Sequence, residues 1–476
     1  MIAFKKVLLV SMPVFKGRHV LADYPPVGLG YLSESLQRCG IEHDVFDMML
    51  GYPVRRLKSL IRNNKYDLLG LSLFTYQYKS SYRIIEEIKK EFPAVTIIVG
   101  GPHVSTFREK VLKDCPAIDF GVIMEGEEAL AALCQGKAPH EEIPGLMYRQ
   151  TTEIRSNPPR FIDNLDNVPF PRFAKFEMRK YSSNIAIITS RGCPYACIYC
   201  PVSMSIGKKY RYRSAESIAE EIKHWHSKGY GRIMVLDDNF TLLPQRVKTL
   251  CGLLKKEKFG RLMLSCSNGI RADKVDMELL KEMRSAGFNE VAFGVEAGTN
   301  KVLKAIKKSE SIETIENRIR EACEAGFKVA LFFIIGSPSE TYEDFEASLK
   351  LASKYPVYSA RFYNLIPFPH SELFEWVSAN GYFIVPPDEY LNDASGRVNR
   401  PLFSTPEFPA ELRSKAFDTA QKLDKEIKRK YVESRIRGPR LAAKLVSKIY
   451  VNPLVNFLYE KYPVVRHAGL FLRRFF

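Results

Sequence analysis

Three of the nine cysteines of this chain lie within eight residues of one another, at the spacing C-x3-C-x2-C. They are Cys193, Cys197 and Cys200, in the segment SRGCPYACIYC that covers residues 190–200. Thiolates this close can each hold one iron of a [4Fe–4S] cluster, because cysteine sulfur is the usual ligand of such clusters. The next cysteine in the chain is Cys251. One iron would therefore stay open, which indicates chemistry at the cluster rather than electron storage.

The cysteine segment resembles the signature of radical S-adenosylmethionine (SAM) enzymes, C-x3-C-x-aromatic-C, with Tyr199 as the aromatic residue beside the cofactor. The resemblance implies that the three cysteines are catalytic cluster ligands. It also implies that the open iron binds the amino and carboxylate groups of SAM, whose reductive cleavage gives a 5′-deoxyadenosyl radical. The alternatives are a zinc site and a structural thiol cluster. Zinc usually takes four protein ligands in pairs, and the sequence offers no partner pair.

The length, the cysteine distribution and the charge limit the classes of protein to which this chain can belong. The 476 residues predict two or three domains. Six cysteines are scattered singly, which is not the pattern of a secreted disulfide protein and favours a reducing cytoplasm. No apolar run reaches the length of a membrane-spanning helix. The net charge is +17, and residues 411–476 hold 16 Lys and Arg against 6 Asp and Glu.

Residues 1–135 alternate strand-like and helix-like runs, which predicts a doubly wound, flavodoxin-like parallel sheet in an α/β fold. Ligands of such sheets bind at the carboxyl ends of the strands. Four loops leave those ends, at 13–19, 74–79, 100–106 and 125–128. Gly100 and Gly101 would let the backbone approach a ligand closely.

Four pieces of this region resemble cobalamin (B12)-binding domains that are fused to radical SAM domains: YPPVGLGYL (24–32), DLLGLS (67–72), VGGPH (99–103) and MEGEE (124–128). The resemblance implies a bound cobalamin near Ser72, Gly100, Gly101 and His103. The best-known cobalamin domains carry D-x-H-x-x-G after the first strand. This chain has SMPVFKG there, with His19 out of register, so we expect base-off cobalamin without a protein histidine ligand. The alternatives are a flavodoxin-like domain that has lost its cofactor and, for His103, a turn residue without a special role.

Six further apolar runs predict a (β/α)6 partial TIM barrel over residues 184–375, in which chemistry lies on the loops after the strands. The runs are 185–189, 232–236, 262–266, 290–295, 329–335 and 360–366. A linker at 136–183 is rich in Pro, Asn and Asp, and a hairpin at 146–155 is expected to space the two domains.

The family resemblance also implies roles for residues at these strand ends. Asp238 would hold the SAM amino group, although the family has Gly-Gly-Glu where this chain has Asp237-Asp238-Asn239. Arg271 would bind the methionine carboxylate, Glu296 the ribose hydroxyls, and the turn from Gly336 through Glu340 would lie beside the adenine. The alternatives are a helix N-cap for Asp238, a structural acid as the partner of Arg271, and a helix cap for Glu340. His370 is unusual for the family, and either faces the substrate or belongs to a turn.

Residues 376–476 form a basic region that predicts two amphipathic helices. The first apolar stripe is Leu412, Ala416, Ala420, Leu423, Ile427 and Tyr431; the second is Leu441, Leu445 and Ile449, beside Lys444 and Lys448. Such helices, with the apolar and basic tail at 470–476, predict peripheral contact with an anionic membrane. The alternative is that they cap the open barrel. No nucleic-acid recognition motif accompanies the charge.

Together, these features predict a cytoplasmic cobalamin-dependent radical SAM enzyme, peripheral at the inner face of the membrane. The resemblance implies that a 5′-deoxyadenosyl radical abstracts hydrogen from an unactivated carbon and that methylcobalamin then delivers a methyl group. A second SAM would remethylate the cobalamin, and flavodoxin or ferredoxin would donate the electron. We expect a small-molecule, lipid-like or isoprenoid substrate, from the basic tail alone. The alternatives are radical ring formation or rearrangement, and a cobalamin-dependent sensor module.

Overall fold

The computed structural model describes residues 3–13, 22–257, 259–392, 400–436, 439–452, 454–455 and 458. From residue 14 on, the loop predicted at 13–19, including His19, lies outside the described residues, as does the tail at 470–476.

The first half of the chain folds around one mainly parallel sheet with helices on both faces. The strands are β1 (Lys6–Ser11), β2 (Glu42–Asp47), β3 (Leu68–Ser72), β4 (Thr96–Gly100), β5 (Phe120–Val122), β6 (Leu146–Gln150) and β7 (Glu153–Ser156). The helices are Val27–Arg38, Val54–Asn64, Tyr78–Glu91, Pro102–Phe107, Glu109–Asp114 and Glu127–Gln135. Alternate residues of β1 serve the two faces: Val7 and Leu9 belong to one core, and Leu8 and Val10 to the other. A strand buried on both sides must be continuously apolar, as this one is.

The described strands of this sheet have the order β2-β1-β3-β4-β5-β6-β7, with β1 to β5 parallel. The predicted hairpin forms as β6 and β7, but β6 pairs antiparallel with β5. The hairpin therefore extends the first sheet instead of spacing two domains. The reason is its apolar content, since Leu146, Met147 and Tyr148 are all buried.

The second half of the chain forms the predicted open barrel. Its strands are β8 (Asn184–Ile187), β9 (Ser190–Arg191), β10 (Arg211–Tyr212), β11 (Arg232–Val235), β12 (Met263–Ile270), β13 (Phe288–Glu296), β14 (Lys328–Ile335) and β15 (Ser359–Asn364). Strands β8 and β11 to β15 lie in chain order and are all parallel, while β9 and β10 form a small antiparallel pair. The helices are Val202–Ser205, Ala215–Ser227, Pro244–Lys256, Met277–Ser285, Asn300–Ala305, Ile312–Glu324 and Tyr342–Lys354. The predicted fold class, a flavodoxin-like sheet with a six-unit partial barrel, is confirmed.

Helices follow the last barrel strand at Glu372–Ala379, Pro387–Tyr390, Ala410–Arg435 and Arg440–Tyr450. The long helix Ala410–Arg435 buries Ala416, Ala420 and Ile427 of the predicted stripe and packs on the edge strand β15. There the amide of Ala360 donates to the carboxylate of Asp424 at 3.0 Å. For this helix, therefore, the alternative of a barrel cap is what the structure shows. No helix within the described ranges is long and apolar enough to cross a membrane.

Candidate active site

A cavity of about 310 Å³ lies where the strand ends of the first sheet meet the first two barrel strands. Ser72, Gly100 and Gly101, predicted to contact cobalamin, line one wall, and Arg191 and Asp238 line the other. Two halves of the chain thus share one cavity at their carboxyl strand ends, where such folds bind ligands.

The glycines of this cavity fit a large ligand that presses against the backbone. Gly101 has φ of +99°, and a Cβ there would lie 2.9 Å from the carbonyl oxygen of Leu73, so no other residue fits without strain. Gly28 also lines the cavity, and a Cβ added there would meet nothing within 4 Å. A side chain at position 28 would project into the cavity, so the glycine there leaves space for a large cofactor.

His103 does not line this cavity, and the assignment to cobalamin is corrected for this residue. Its Nε2 lies 2.8 Å from the Tyr82 hydroxyl and its ring stacks on Tyr78 and packs on Phe107. The side chain is buried, which lowers its pKa to about 3. His103 is therefore a neutral core residue, because the helix that begins at Pro102 turns its ring away from the strand ends.

A buried ion-pair network, which we call the interdomain clamp, joins Glu125 and Glu127 of the first half to Arg191 and Arg211 of the barrel half. Glu125 Oε1 lies 3.1 Å from Arg191 Nη1 and 2.5 Å from Arg211 Nη1, and Glu127 Oε1 lies 2.5 Å from Arg191 Nη2. Burial alone would raise the pKa of Glu127, but Arg191 holds it below its usual value. Because Arg191 lies two residues before Cys193, the clamp fastens the cobalamin-side loop to the cysteine loop.

The three cysteines are free, half-buried thiols that line a second cavity of about 190 Å³, with Lys208 and His370 also on its wall. Burial, followed by the neighbouring thiols and Asp238, raises the pKa of Cys200 to about 12. Binding of iron would have to displace these protons. Within the described ranges, no three His, Cys, Asp or Glu side chains converge on a single metal ion. Three thiols on the wall of one cavity suit a cluster in which each cysteine holds its own iron.

Glu296 lies close to the cysteine loop. It has φ of +66° at the end of β13, and a Cβ on Gly294 would lie 2.6 Å from its Oε1, so the carboxylate folds back over the strand. Burial, followed by the charge of this carboxylate, raises the pKa of Tyr199 well above its usual value. Lys308 Nζ lies 3.0 Å from Glu296 Oε1. The sequence held no signal for Lys308, since its partner is twelve residues away on another element.

Arg271 takes the structural alternative, which corrects its assignment to the SAM carboxylate. Its Nε donates to Asp273 at 2.8 Å, and its terminal nitrogens donate to the carbonyls of Lys308 and Ser309, each at 3.1 Å. The buried guanidinium also lies 3.6 Å from the ring centroid of Tyr195. Arg271 therefore fixes the segment that carries Lys308 against the cysteine loop.

The two aspartates at the end of β11 have different environments. Asp237 is buried and accepts hydrogen bonds from the amide and hydroxyl of Thr189 and from the hydroxyl of Ser190. Asp238 lines the interdomain cavity, and burial, followed by the charge of Asp237, raises its pKa to about 6. Asp238 is thus the carboxylate of the pair that remains available to a ligand.

Glu340 builds the turn after β14 and does not face a ligand, so its assignment as a cofactor contact is corrected. Its Oε2 accepts the amides of Gly336 at 2.6 Å and Ser337 at 2.9 Å, and the side chain is buried. Burial raises the pKa of Glu340 to about 7. The following helix is capped by Thr341. Gly336 needs its glycine, because φ is +99° and a Cβ would lie 2.5 Å from Nη1 of Arg413.

His370 is exposed, has φ of +65° and lines the cysteine cavity. It is therefore a turn residue, and its side chain also lies at the cysteine loop.

The concave face of the barrel carries aromatic groups and a cation that the sequence did not single out. Phe333 and Phe362 stack at 4.5 Å, and Phe362 packs on Phe345 of the outer helix Tyr342–Lys354. Because side chains alternate along a strand, Phe332, Ile334, Arg361 and Tyr363 face the opposite, concave side. The Arg361 guanidinium lies 5.9 Å from the ring centroid of Phe332. Among the described residues, no carboxylate forms an ion pair with Arg361.

Comparisons with known proteins agree with this geometry. The family model for the radical SAM superfamily matches residues 187–352, and the model for the B12 binding domain matches residues 15–134. The chain is 31% identical over 394 residues to the uncharacterized methyltransferase PH0819 of Pyrococcus horikoshii, covering 80% of this chain and 84% of the relative. It is 26% identical over 481 residues to the cytidylyl-2-hydroxyethylphosphonate methyltransferase of Streptomyces wedmorensis, covering 87% of this chain and 89% of the relative. The fold resembles OxsB, a cobalamin-dependent SAM radical enzyme solved with aqua-cobalamin and SAM bound, with TM-score 0.75, 18% identity, and coverage of 97% of this chain and 72% of that chain.

Proposed function

This chain belongs to the cobalamin-dependent radical SAM enzymes, and we propose that it methylates an unactivated carbon of a small-molecule substrate. The observation that carries the proposal is the interdomain cavity, whose walls come from the B12-binding half and from the barrel strands beside the cysteine loop. A methyl group held on one wall could reach a substrate radical formed on the other. Both of the relatives described above carry the name methyltransferase, which supports an enzyme rather than a sensor module.

The proposed cofactor contacts come from the cysteine loop and from two carboxylates at the ends of barrel strands. Cys193, Cys197 and Cys200 would ligate the [4Fe–4S] cluster. When bound, the cluster supplies the electron that cleaves SAM, and cobalamin supplies the methyl group that is transferred. Asp238 would accept the SAM ammonium, and Glu296 the ribose hydroxyls, because a buried carboxylate needs polar partners.

Lys308 is the other buried cation beside the cysteine loop, and its Nζ lies 3.0 Å from Glu296 and 3.6 Å from Glu310. Burial alone would lower the pKa of Lys308, but these two carboxylates raise it. Because Lys308 is already paired with two carboxylates, we propose that it holds Glu296 in place and does not bind the methionine carboxylate.

Ser72, Gly100 and Gly101 would contact the corrin, and we propose that cobalamin is held base-off. In support, no histidine lines the interdomain cavity among the described residues. Electron paramagnetic resonance of the cob(II)alamin form tests this, because an axial nitrogen ligand splits the cobalt lines. Unsplit lines are expected, and nitrogen splitting would contradict the base-off state.

For the substrate, we propose a hydrophobic, lipid-like or isoprenoid molecule with an anionic group. The support is the concave barrel wall, where the aromatic rings of Phe332 and Tyr363 flank the cation of Arg361. An apolar substrate would cover the rings, and a carboxylate or phosphate would pair with the guanidinium. We further propose a cytoplasmic location, flavodoxin or ferredoxin as electron donor, and peripheral membrane contact through the C-terminal region.

The test uses anaerobic holoprotein, a chemical reductant and SAM with a deuterated methyl group. We expect 5′-deoxyadenosine together with deuterated methylcobalamin, and a product in lipid extracts that gains one labelled methyl group. Cys197→Ala should abolish 5′-deoxyadenosine formation, while Cys39→Ala, at an exposed thiol far along the chain, should not. Formation of 5′-deoxyadenosine without labelled cobalamin or product would refute methylation in favour of ring formation or rearrangement.

A further inference from the structure

The short helix Arg440–Tyr450 presents an apolar face that no other described residue covers. Leu441, Leu445 and Ile449 are 81%, 62% and 48% exposed. We call these three residues the leucine face. Their spacing of four residues puts them on one side of the helix. Most other large apolar residues of the described chain are buried, so this concentration of exposed ones indicates a contact surface.

The opposite side of the same helix is fixed to the protein. Ala443 and Ser447 are buried against the long helix Ala410–Arg435. The hydroxyls of Tyr450 and Tyr358 lie 2.5 Å apart. The leucine face therefore points outward from an anchored helix and not from a frayed terminus.

The charges around the leucine face have one sign. Between residues 437 and 459 the sequence contains Arg437, Arg440, Lys444 and Lys448 but no acidic residue. In the long helix, by contrast, Lys428 and Arg429 pair with Asp424 and Glu433. Within the described ranges, Arg440, Lys444 and Lys448 form no such ion pair. Cations that lack protein partners beside an apolar face suit a surface that is itself anionic.

We propose that the leucine face docks on an anionic lipid bilayer, with its apolar side chains at the boundary of headgroups and acyl chains and with Arg440, Lys444 and Lys448 among the headgroups. A second copy of this face would bring like charges together, which opposes self-association. Residues 459–476 cannot neutralise the face either, because they contain four Lys and Arg and one Glu. The anionic bilayer is thus the occupant whose charge matches.

The position of the helix sets the orientation of the docked protein. Tyr358 directly precedes β15, so the contact with Tyr450 places the helix near the amino-terminal ends of the barrel strands. The cysteine loop follows the opposite, carboxyl ends. Docking would tether the enzyme and leave the cofactor cavities open on the side away from the bilayer. The inference deepens the peripheral contact proposed above and does not depend on methyl transfer, so either can fail alone.

The test is cosedimentation of the full-length holoprotein with vesicles of phosphatidylcholine alone or of phosphatidylcholine mixed with phosphatidylglycerol. The double variant Leu441→Ser with Leu445→Ser should lower partition onto the anionic vesicles by about tenfold or more, because two leucines no longer leave water. The matched control Ile384→Ser changes an exposed apolar residue elsewhere and should bind as the wild type does. Lys444→Glu with Lys448→Glu should remove the preference for anionic vesicles.

Three outcomes would overturn the proposal. The wild type could bind neither vesicle or both equally. The serine double variant could bind like the wild type, which would place the contact elsewhere in the chain. Sedimentation velocity could show that the leucine face holds a dimer which the serine variant dissociates, which would make a second copy the occupant. Unchanged melting of all variants is expected, since the substituted side chains are exposed.

Discussion

Removal of the charge of Glu125 should weaken the attachment of the B12-binding half to the barrel. Glu125 contacts Arg191 and Arg211 through Oε1, and its Oε2 accepts the amide of Ile162 at 2.8 Å. The side chains of Glu125 and Arg211 are only 6% and 2% exposed. The variant Glu125→Gln keeps the shape of the side chain but leaves two buried guanidinium groups without one of their carboxylates.

The expected cost is large because burial prevents water from replacing the lost partner. Removal of one member of a buried ion pair costs about 3–5 kcal/mol of unfolding free energy. The chain offers a matched control three residues away: Glu128 pairs with Arg160 at 2.7 Å, but both side chains are more than half exposed. An exposed pair of this kind is worth about 0–1 kcal/mol. Glu128→Gln should therefore change the free energy of unfolding very little.

The assay is equilibrium urea unfolding of anaerobic holoprotein. Cobalamin absorbance reports on the interface, and the fluorescence of the two tryptophans, Trp225 and Trp376, reports on the barrel half. Since a chain with two halves need not unfold in one step, the midpoints of the two signals are compared separately. We expect Glu125→Gln to shift the cobalamin transition to clearly lower urea, and Glu128→Gln to leave it in place. Equal midpoints for the two variants would refute the role given to the interdomain clamp.

Three further predictions address the cavity, the core histidine and the SAM site. Gly101→Ala should lower cobalamin retention, because its Cβ would clash with the Leu73 carbonyl. Gly40 also has a positive φ, of +68°, but a Cβ there meets nothing within 4 Å, so Gly40→Ala should retain cobalamin as the wild type does. Burial lowers the pKa of His103 to about 3, so as the pH falls below about 6.5 the unfolded chain binds a proton that the folded chain does not. The free energy of unfolding of the wild type should therefore fall below about pH 6.5, and it should fall less in His103→Gln. Parallel stability curves of the two proteins between about pH 4 and 7 would contradict a buried neutral histidine. Glu296→Gln should weaken SAM binding about tenfold or more in equilibrium dialysis through loss of charged hydrogen bonds, with Glu290→Gln, at the other end of β13, as the control that should bind normally.

The fold was largely predictable because the apolar pattern that indicates each strand or helix lies within a short stretch of sequence. The alternation of strand-like and helix-like runs predicted a doubly wound sheet over residues 1–135, and a core lies on each face of β1. The hairpin of β6 and β7 was predicted as a hairpin, yet its attachment to β5 was not. Two strands of a hairpin specify each other locally, whereas the third strand depends on which sheet edge the whole fold leaves open.

The site was predictable where its residues are adjacent in sequence and not where they meet only in space. The cysteine segment is local, and its three thiols share one cavity. The roles of Arg271 and Lys308 depend on partners that the chain brings from more than ten residues away. A single arginine after a strand looks the same in sequence whether it meets a ligand or a backbone carbonyl.

The two C-terminal stripes show the same limit. Leu412 to Tyr431 and Leu441 to Ile449 have equivalent apolar spacing, and both predicted an amphipathic helix. The first stripe is largely buried where its helix packs on β15, while the second stripe is exposed. Spacing defines an apolar face, but only the surrounding fold decides whether that face is covered.

Metal analysis of protein purified anaerobically with cobalamin supplied tests the central claim most directly. The account predicts about four irons with matching sulfide and about one cobalt per chain in the wild type and in Cys39→Ala. It predicts that Cys197→Ala loses the iron but keeps the cobalt, because the cluster and cobalamin occupy separate cavities. Iron without cobalt in the wild type would contradict the account, since the interdomain cavity would then not be a cobalamin site.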